Sequence, residues 1–315
     1  MIDHLALRPR VHASGPDALA DLAPLRPRGN AEFLSVILPV RGRPASLDEQ
    51  LNALANQSWK GRWELLLVDN GGSASLEDVV ETWAIDLPIR LVAAREAPGI
   101  NFARNRGVAS AKGDLLAFCD ADDIVGEGWL AGLADAAQQA DVVGGRLDEE
   151  LLNRSGRGRR PRMPTDRLPV ALGFLPFAVG ANFAVWADVL DEIGSFNERY
   201  VVGNDDVEFS FRAQLSGYRL GYAPDAVVAY RHRERGRDMF RQFCRYGRSE
   251  PLLYRSFRQW GMQRPTAWEV AKRWSRIVLE APLVLIPAKR GPWLVRAGFS
   301  FGRLRGSLRY RAPYL

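Results

Sequence analysis

Short apolar runs alternate with amphipathic segments along the N-terminal half of the chain. Between the runs, apolar residues recur at helical spacing, which predicts helices that begin at Ser46 and near positions 76, 101 and 129. This alternation predicts an α/β fold with a mostly parallel sheet and helices on both faces. The runs that predict buried β-strands lie at positions 33–39, 64–69, 89–92, 115–119 and 141–145.

Local signals add detail to this pattern. Ser46 is followed three residues later by Glu49, which is the spacing of a capping box, so we predict that this pair begins the first helix. The later elements predicted by the pattern are a strand at 180–185, a helix at 186–193, a helix beginning in the acidic segment 205–208, a turn at 221–225 and a last strand ending at 230–232.

Acidic residues follow two of the predicted strands directly. Asp120, Asp122 and Asp123 come after the run 115–119, and Asp69 ends an earlier strand. Ligands of parallel α/β sheets bind beyond the carboxyl ends of the strands. Carboxylates so close together repel one another unless a metal, a basic ligand or bulk water offsets their charge, and hard oxygen ligands favour magnesium or manganese. We therefore expect something cationic at this edge of the sheet, and a divalent cation, Mg or Mn, would suit these ligands.

The net charge of +6 hides a division along the chain. Residues 226–315 contain 20 Lys and Arg against 5 Asp and Glu, whereas the preceding residues are acidic overall. Such a basic segment is typical of proteins that contact phosphate groups. We expect no nucleic acid partner, because no recognisable binding module accompanies the charge.

The basic segment also contains an amphipathic helix pattern. Trp274 and Ile277 share one face of it, whereas Lys272 and Arg276 lie opposite. The apolar stretch that follows is interrupted by Pro282 and falls short of the roughly 20 residues that a membrane span needs. Two interpretations stay open: the helix lies on a membrane surface, or it packs as an appendage that mediates dimerisation.

Composition places the chain among ordinary globular proteins. Hydrophobic residues make up 47% and charged residues 25%, which indicates neither disorder nor a membrane-embedded body. Two cysteines give no disulfide framework, and the polar start of the chain has no secretory signal pattern. We expect a cytoplasmic protein, and the basic helices place it peripherally on the inner face of the membrane if they bind lipid.

Several short motifs occur in a characteristic order along the chain. They are Asp69, 103–107, 120–123, 180–182, 194–198 and 205–206. Together they resemble the family-2 glycosyltransferases over about residues 33–250. The resemblance implies a GT-A-type enzyme that transfers a sugar from a nucleotide-sugar donor to a hydroxyl of a glycan or lipid-linked acceptor, with inversion at the anomeric carbon. It also implies metal-dependent, hexosyltransferase-like activity of the kind used in polysaccharide biosynthesis.

The same resemblance implies a role for each site residue. Asp69 would contact the nucleoside, Asp120 the ribose or base, and Asp122 the divalent cation. Asp206 would be the catalytic base, although Asp205 stands where the family more often has Glu. His232 would contact the metal or the diphosphate. The remaining predicted residues are Arg104 as a donor-binding group and Asp123, Asn182 and Asp205 as supports.

Two rival functions and a domain division complete the expectations. A sugar nucleotidyltransferase would need a glycine-rich basic loop after Leu38, where only Arg41-Gly42-Arg43 appears. A non-catalytic glycan or membrane adaptor with a GT-A fold is the other alternative. We predict an N-terminal extension at 1–30, a GT-A domain at 31–235 and a basic, aromatic-rich helical appendage at 236–315.

Overall fold

The computed structural model describes residues 27–72, 75–153, 162–201 and 203–315. The predicted N-terminal extension lies outside the described residues up to position 26, and so do the arginine-rich residues 154–161. The strands are β1 Phe33–Val40, β2 Arg62–Asp69, β3 Ile89–Ala93, β4 Leu115–Cys119, β5 Ile124–Val125, β6 Val142–Asp148, β7 Val170–Ala171, β8 Leu175–Pro176, β9 Asn182–Trp186 and β10 Leu220–Ala229. The α-helices are α1 Leu47–Ala55, α2 Glu77–Trp83, α3 Ile100–Ser110, α4 Trp129–Ala137, α5 Ala187–Ile193, α6 Asp205–Leu215, α7 Gly236–Phe257, α8 Ala267–Leu279 and α9 Pro287–Tyr310.

Eight strands form one sheet in the order β3-β2-β1-β4-β9-β6-β10-β5. The first four strands of this order run parallel, as do β6 and β10. β9 enters antiparallel between β4 and β6, and β5 is antiparallel to β10. The predicted α/β fold is therefore confirmed, and the mixed sheet differs from a purely parallel one because β9 inserts in the opposite direction.

The central strands are buried on both faces. Residues 65–68 of β2 are fully buried, and so are residues 115, 117 and 118 of β4. Because successive side chains of a strand point to opposite faces, continuous burial requires cover on both sides of the sheet. This explains why these strands appear in the sequence as uninterrupted apolar runs rather than as alternating patterns.

Two local predictions are wrong. Ser46 makes no capping hydrogen bond; its hydroxyl donates to the carbonyl of Ala121 at 3.0 Å, and Glu49 instead accepts from Arg231 at 2.6 Å. Residues 221–225 form no turn before a strand, because they lie inside β10, whose register against β6 shifts between Ala223 and Val227. In both places a distant partner overrides the local signal.

The C-terminal helices α7 and α9 pack along one another at close backbone distance. Gly298, Gly302 and Gly306 of α9 face α7. A Cβ added at Gly302 would lie 2.4 Å from the carbonyl oxygen of Cys244, and one added at Gly306 would lie 2.2 Å from that of Arg248. Only glycine allows this approach, so we call these three residues the glycine seam.

A second hydrophobic cluster joins α7 to the sheet-bearing part of the chain. Phe211 of α6 packs edge to face against Phe257 of α7 at 5.4 Å between ring centroids. Tyr200 and Leu253 are buried in the same cluster. The cluster crosses the predicted domain boundary at 235/236, which stays a prediction.

The helix α8 has the amphipathic character that the sequence predicted, and a Thr266–Glu269 capping box begins it. Its Ile277 is buried, and Trp274 meets Phe301 of α9 edge to face at 5.3 Å between ring centroids. Within the described part of the chain, no helix has both the length and the apolar character that crossing a bilayer would demand.

The glycine seam yields a stability prediction. Replacing Gly302 by Ala forces α7 and α9 apart, so we expect the free energy of unfolding to fall by about 1–3 kcal/mol. Denaturant titration followed by circular dichroism measures this change. Leu304→Ala, a change at a more exposed position of the same helix, is the control and should cost less. Equal stability of Gly302→Ala and the unaltered protein would contradict the close packing.

Candidate active site

A buried guanidinium connects three separate parts of the site. Arg104 of α3 is 3% exposed. Its Nη1 donates to Asp205 Oδ2 at 2.5 Å, and its Nη2 donates to the carbonyl of Gly180 at 2.9 Å. The same Nη2 lies 3.6 Å from Asp120 Oδ1. Arg104 thus holds the end of β4, the segment before β9 and the start of α6 around one positive charge.

The residues around Arg104 leave space for its guanidinium. A Cβ added at Gly180 would lie 2.9 Å from Nη2, so the site excludes any side chain there. Phe196 places its ring 5.5 Å from the guanidinium carbon, a cation–π distance. Gly107 lets α3 approach β1, since an added Cβ would lie 2.6 Å from Ile37 Cγ2. The glycines of motifs 103–107 and 180–182 therefore serve packing.

Two asparagines of α3 hold the motif at 194–198. Asn105 Oδ1 accepts from the backbone N–H of Phe196 at 2.9 Å, and its Nδ2 donates to the Phe196 carbonyl at 3.0 Å. Asn101 donates to the carbonyl of residue 197 at 3.0 Å. From the other side, Arg212 of α6 donates to the carbonyls of residues 194 and 195. This motif therefore locks α3 against α6.

The acidic loop after β4 brings three carboxylates together. One oxygen each from Asp120, Asp122 and Asp123 lies within 4.8 Å of the others. Burial raises the pKa of Asp120 to about 7, against the opposing charge of Arg104. Burial, with the charges of the other two carboxylates, raises the pKa of Asp123 to about 9. The cluster therefore holds its negative charge only at a free-energy cost unless a cation is near.

The cluster fits a divalent cation. Asp123 is 1% exposed; its Oδ1 accepts from the backbone N–H of Arg231 at 2.7 Å, whereas Oδ2 is buried and has no hydrogen-bond partner among the described residues. A buried, unpartnered carboxylate oxygen beside two partly exposed carboxylates is a donor set that Mg²⁺ or Mn²⁺ accepts. The residues that would hold such an ion are Asp122 and Asp123, with Asp120 at the edge.

Side chains of α1 and of Ser46 just before it hold this acidic loop through hydrogen bonds, and these contacts were not predicted from the sequence. Gln50 is fully buried; its Nε2 donates to the carbonyl of Asp120 at 3.1 Å, and its Oε1 accepts from the backbone N–H of Val125 at 3.0 Å. Ser46 adds its bond to the loop. The sequence offered one signal for this contact, namely a glutamine among the apolar positions of the first predicted helix.

Two arginines after β10 reach Asp122, and sequence reasoning missed both. Arg233 Nη2 lies 3.0 Å from Asp122 Oδ2, and Arg231 Nε donates to the Asp122 backbone carbonyl at 2.9 Å. Both flank His232, on which the sequence interpretation concentrated. In the sequence, the sign of their role was two arginines placed directly after the last predicted strand.

His232 and Asn182 are not among the residues that line the cavity described below. The Nε2 of His232 lies 2.9 Å from Glu149 Oε1. Asn182 is fully buried; it accepts from the indole N–H of Trp129 and donates to the carbonyl of Ala226, so it joins β9 to α4 and β10. The role predicted for each in the site stays a prediction.

Asp206 stands at the start of α6, after a sharp bend. Gly203 (φ 117°) and Asn204 (φ 61°) both have left-handed backbone conformations before the helix begins. Asp206 Oδ2 accepts from the backbone N–H of Gly180 at 2.9 Å. Burial and the neighbouring charge of Asp205 raise the pKa of Asp206 to about 6. A carboxylate with this pKa is ionised at neutral pH and basic enough to accept a proton.

Asp69 ends β2 in a tightly bonded arrangement. Its Oδ1 accepts from the backbone N–H of Gly71 at 2.9 Å, and its Oδ2 accepts from Arg95 at 2.5 Å. Asn70 donates to the carbonyls of residues 94 and 97 and so orders the adjoining loop. Asp69 does not line the cavity, and its predicted nucleoside contact stays a prediction.

A cavity of about 1130 Å³ lies beside Arg104 and the start of α6. Its wall includes Arg104, Asp120, Asp205, Asp206 and Arg233, and it continues along the first turns of α7, whereas Asp122 and Asp123 are not among its lining residues. This volume is slightly above the roughly 300–1,000 Å³ of most small-molecule sites.

Solved structures share this architecture. The mannosyltransferase PcManGT from Pyrobaculum calidifontis, in complex with GDP-Man and Mn²⁺, superposes with a TM-score of 0.65 at 18% identity, over 91% of this chain and 89% of that one. TarS residues 1–349 from S. aureus give a TM-score of 0.53 at 18% identity, over 90% of this chain and 93% of the other. These likenesses show the GT-A fold.

Curated relatives are similar in sequence as well. Glycosyltransferase AglE of Haloferax volcanii is 28% identical over 216 residues, which cover 67% of this chain and 71% of AglE. The pre-mycofactocin glycosyltransferase of Mycobacterium tuberculosis is 26% identical over 272 residues, 80% of this chain. The match spans only 55% of the length of that relative.

Two family models match the chain directly. The model for glycosyl transferase family 2 matches residues 35–194, and the model for glycosyl transferase family group 2 matches residues 116–295. The first match begins in β1 and ends after α5, so it includes the acidic loop and the segment that surrounds Arg104. The chain therefore belongs to glycosyl transferase family 2.

Proposed function

We propose that this glycosyltransferase moves a sugar from a nucleoside diphosphate donor to an acceptor hydroxyl with inversion, and that it uses a divalent cation. The observation that carries the proposal is the cavity in which Arg104 holds Asp120, the first acid of the cluster, and the start of α6 together. The neighbours named with GDP-Man and Mn²⁺ and with UDP-GlcNAc support a nucleotide-sugar donor.

The acidic sheet edge beside the cavity serves the donor. Asp120, which lines the cavity, and Asp69, which ends β2 in the same sheet, bind the nucleoside part, and Asp122 with Asp123 would hold the cation. When bound, a divalent cation offsets the negative charge that develops on the departing diphosphate. Arg233, which reaches Asp122 Oδ2, supplies a further positive charge to the same leaving group.

Asp206 serves the acceptor. It takes the proton of the acceptor hydroxyl while the oxygen bonds to the anomeric carbon and the bond from that carbon to the diphosphate breaks. Attack from the face opposite the leaving group inverts the anomeric configuration. Arg104 positions this base indirectly, because it fixes Asp205 and the Gly180 segment, whose N–H binds Asp206.

The rival functions lack comparable support. The family assignment disfavours a sugar nucleotidyltransferase. A non-catalytic adaptor would have no use for a carboxylate kept near a pKa of about 6 beside a cation-binding cluster. We retain the division into residues 31–235 and a helical appendage at 236–315 as part of this proposal.

We also propose that the appendage lies on a membrane surface, where a glycan or lipid-linked acceptor is available. Leu279, the last residue of α8, and Leu285, the last residue of the 3₁₀ turn Ala281–Leu285, are 79% and 77% exposed. Apolar side chains exposed in one short segment mark an interaction surface. Basic residues nearby suit anionic lipid; they are Lys272, Arg276, Lys289 and Arg290.

The catalytic assignments predict different losses of activity for Asp206 and Asp122 variants. With a panel of nucleotide sugars and Mg²⁺ or Mn²⁺, Asp206→Asn should lower kcat by about 10²–10⁴-fold while donor binding persists. Asp122→Asn should weaken metal-dependent donor binding and turnover together. Asp78→Asn, at an exposed acid of α2, is the control. Full activity in both site variants would overturn the proposal.

The pKa of Asp206 predicts the acid limb of the pH profile. Because the base must be deprotonated and its pKa is about 6, kcat/KM for the acceptor should be constant above that pH and fall below it. At one pH unit below the pKa the loss is about tenfold. The measurement uses saturating donor and metal, with circular dichroism at each pH to exclude unfolding. A limb near the ordinary aspartate pKa would contradict the assignment.

The membrane proposal predicts a lipid-binding defect. Leu279→Ser combined with Leu285→Ser should lower co-sedimentation with phosphatidylglycerol-containing vesicles by about tenfold or more, because each buried leucine contributes about 1.5–3 kcal/mol. The control is Ile85→Ser, since Ile85 is equally exposed but lies outside the appendage. If the double variant instead has a lower molecular mass in solution, measured by sedimentation, and still binds lipid, the surface is a dimer interface.

A further inference from the structure

The cavity continues beyond Asp206 along a basic face of α7. Arg241 and Arg245 are separated by one helical turn, so they project from the same face, and both line the cavity. Gln242 and Tyr246 line it beside them, and the phenol of Tyr246 accepts from Gln242 Nε2 at 3.0 Å. None of these residues is needed for the donor roles proposed above.

The positive charge of this face is poorly balanced. The guanidinium of Arg241 lies 4.0 Å from Asp238 Oδ1, which Arg237 also approaches at 4.0 Å, so one carboxylate serves two arginines. Among the described residues, Arg245 has no acidic side chain within salt-bridge distance. The face is therefore ready to bind an anion, and guanidinium groups bind phosphate oxygens in a bidentate manner.

Apolar residues complete the same cavity. Val170 and Val201 are 58% and 65% exposed, and both line it. Leu172, another lining residue, has a left-handed backbone (φ 56°) in the tight turn between β7 and β8. A leucine in this conformation is strained. Its side chain is partly buried against the hydrophobic cluster that joins α6 to α7, and it also lines the cavity. We call Val170, Leu172 and Val201 the apolar lip.

We propose that the acceptor is an amphiphile that carries a phosphate group, with its phosphate on Arg241 and Arg245 and its apolar part on the apolar lip. This inference rests on the proposed function, since Asp206 then receives the proton of the acceptor hydroxyl. The phosphate is bound and stays chemically unchanged. Neither a neutral glycan nor a simple sugar phosphate would use both the arginines and the apolar lip.

Direct binding of octyl phosphate, octanol and inorganic phosphate tests the proposal without turnover. Octyl phosphate should bind the unaltered protein at least about tenfold more tightly than octanol or inorganic phosphate does. The reason is that a charge-assisted hydrogen bond contributes about 1.5–3 kcal/mol. Isothermal titration calorimetry measures the three affinities. If phosphate alone binds as well as octyl phosphate, the acceptor is a soluble phosphate and the amphiphile is excluded.

Matched variants locate the binding. Arg241→Gln with Arg245→Gln should weaken octyl phosphate binding by about tenfold or more, whereas octanol binding stays the same. Arg237→Gln is the control, because this arginine is on the same helix and does not line the cavity. Equal losses in the double variant and the control would overturn the assignment.

Leu172→Asn tests the apolar lip separately. Asparagine tolerates the left-handed backbone, so the protein should remain folded while octyl phosphate binds more weakly and inorganic phosphate binds unchanged. No effect on octyl phosphate would exclude the lip. Donor hydrolysis by the unaltered protein decides the proposed function independently: turnover without octyl phosphate binding refutes only the acceptor class.

Discussion

The buried guanidinium of Arg104 is the interaction on which the rest of the site depends. A charge that is 3% exposed is stable only when it is paired and hydrogen-bonded, and Arg104 meets this condition with Asp205, Asp120 and the Gly180 carbonyl. These partners come from distant parts of the sequence, so folding α3 onto the sheet assembles the cleft. Asp205 makes the close contact with Arg104, and burial together with the charge of Asp205 raises the pKa of the neighbouring Asp206.

The motifs that carried the family resemblance divide into two physical kinds. Asp122 and Asp206 present carboxylates to the cavity or to a neighbouring cation. The motifs at 180–182 and 194–198 instead make room for Arg104 or join α3 to α6 through backbone hydrogen bonds. The second kind looks equally functional in the sequence, yet its contribution is to hold the first kind in place.

Most of the sheet was predictable because strands buried on both faces appear as uninterrupted apolar runs, as β2 and β4 do. Predictions failed where a distant partner decided the outcome. Ser46 has a good local partner in Glu49 but bonds to the acidic loop, and Arg231 and Arg233 reach Asp122 only after β10 joins the sheet. The sequence therefore placed Asp69 and Asp120 at strand ends, as the structure has them, but did not reveal which arginines pair with the acidic loop. The glycine seam is visible in the sequence as glycines that recur every four residues in α9, but it was not predicted, because the prediction for this segment rested on its basic residues.

Asp206, the proposed base, is tied to the C-terminal helices through Asn204. Asn204, whose left-handed backbone starts α6, donates to the Tyr246 carbonyl and to Ser249 Oγ, both in α7. The glycine seam and the buried pair of Glu250 with Arg303 fix α7 against α9. The helix that positions Asp206 is thus the helix that carries Arg241 and Arg245, and its partner α9 continues from the exposed apolar segment. An acceptor held by α7 would therefore have its phosphate, its hydroxyl and the proposed base placed by the same helix, whereas the proposed donor site lies at the sheet edge. On this proposal the two substrates have separate structural supports, and the cavity needs residues from both the sheet edge and α7.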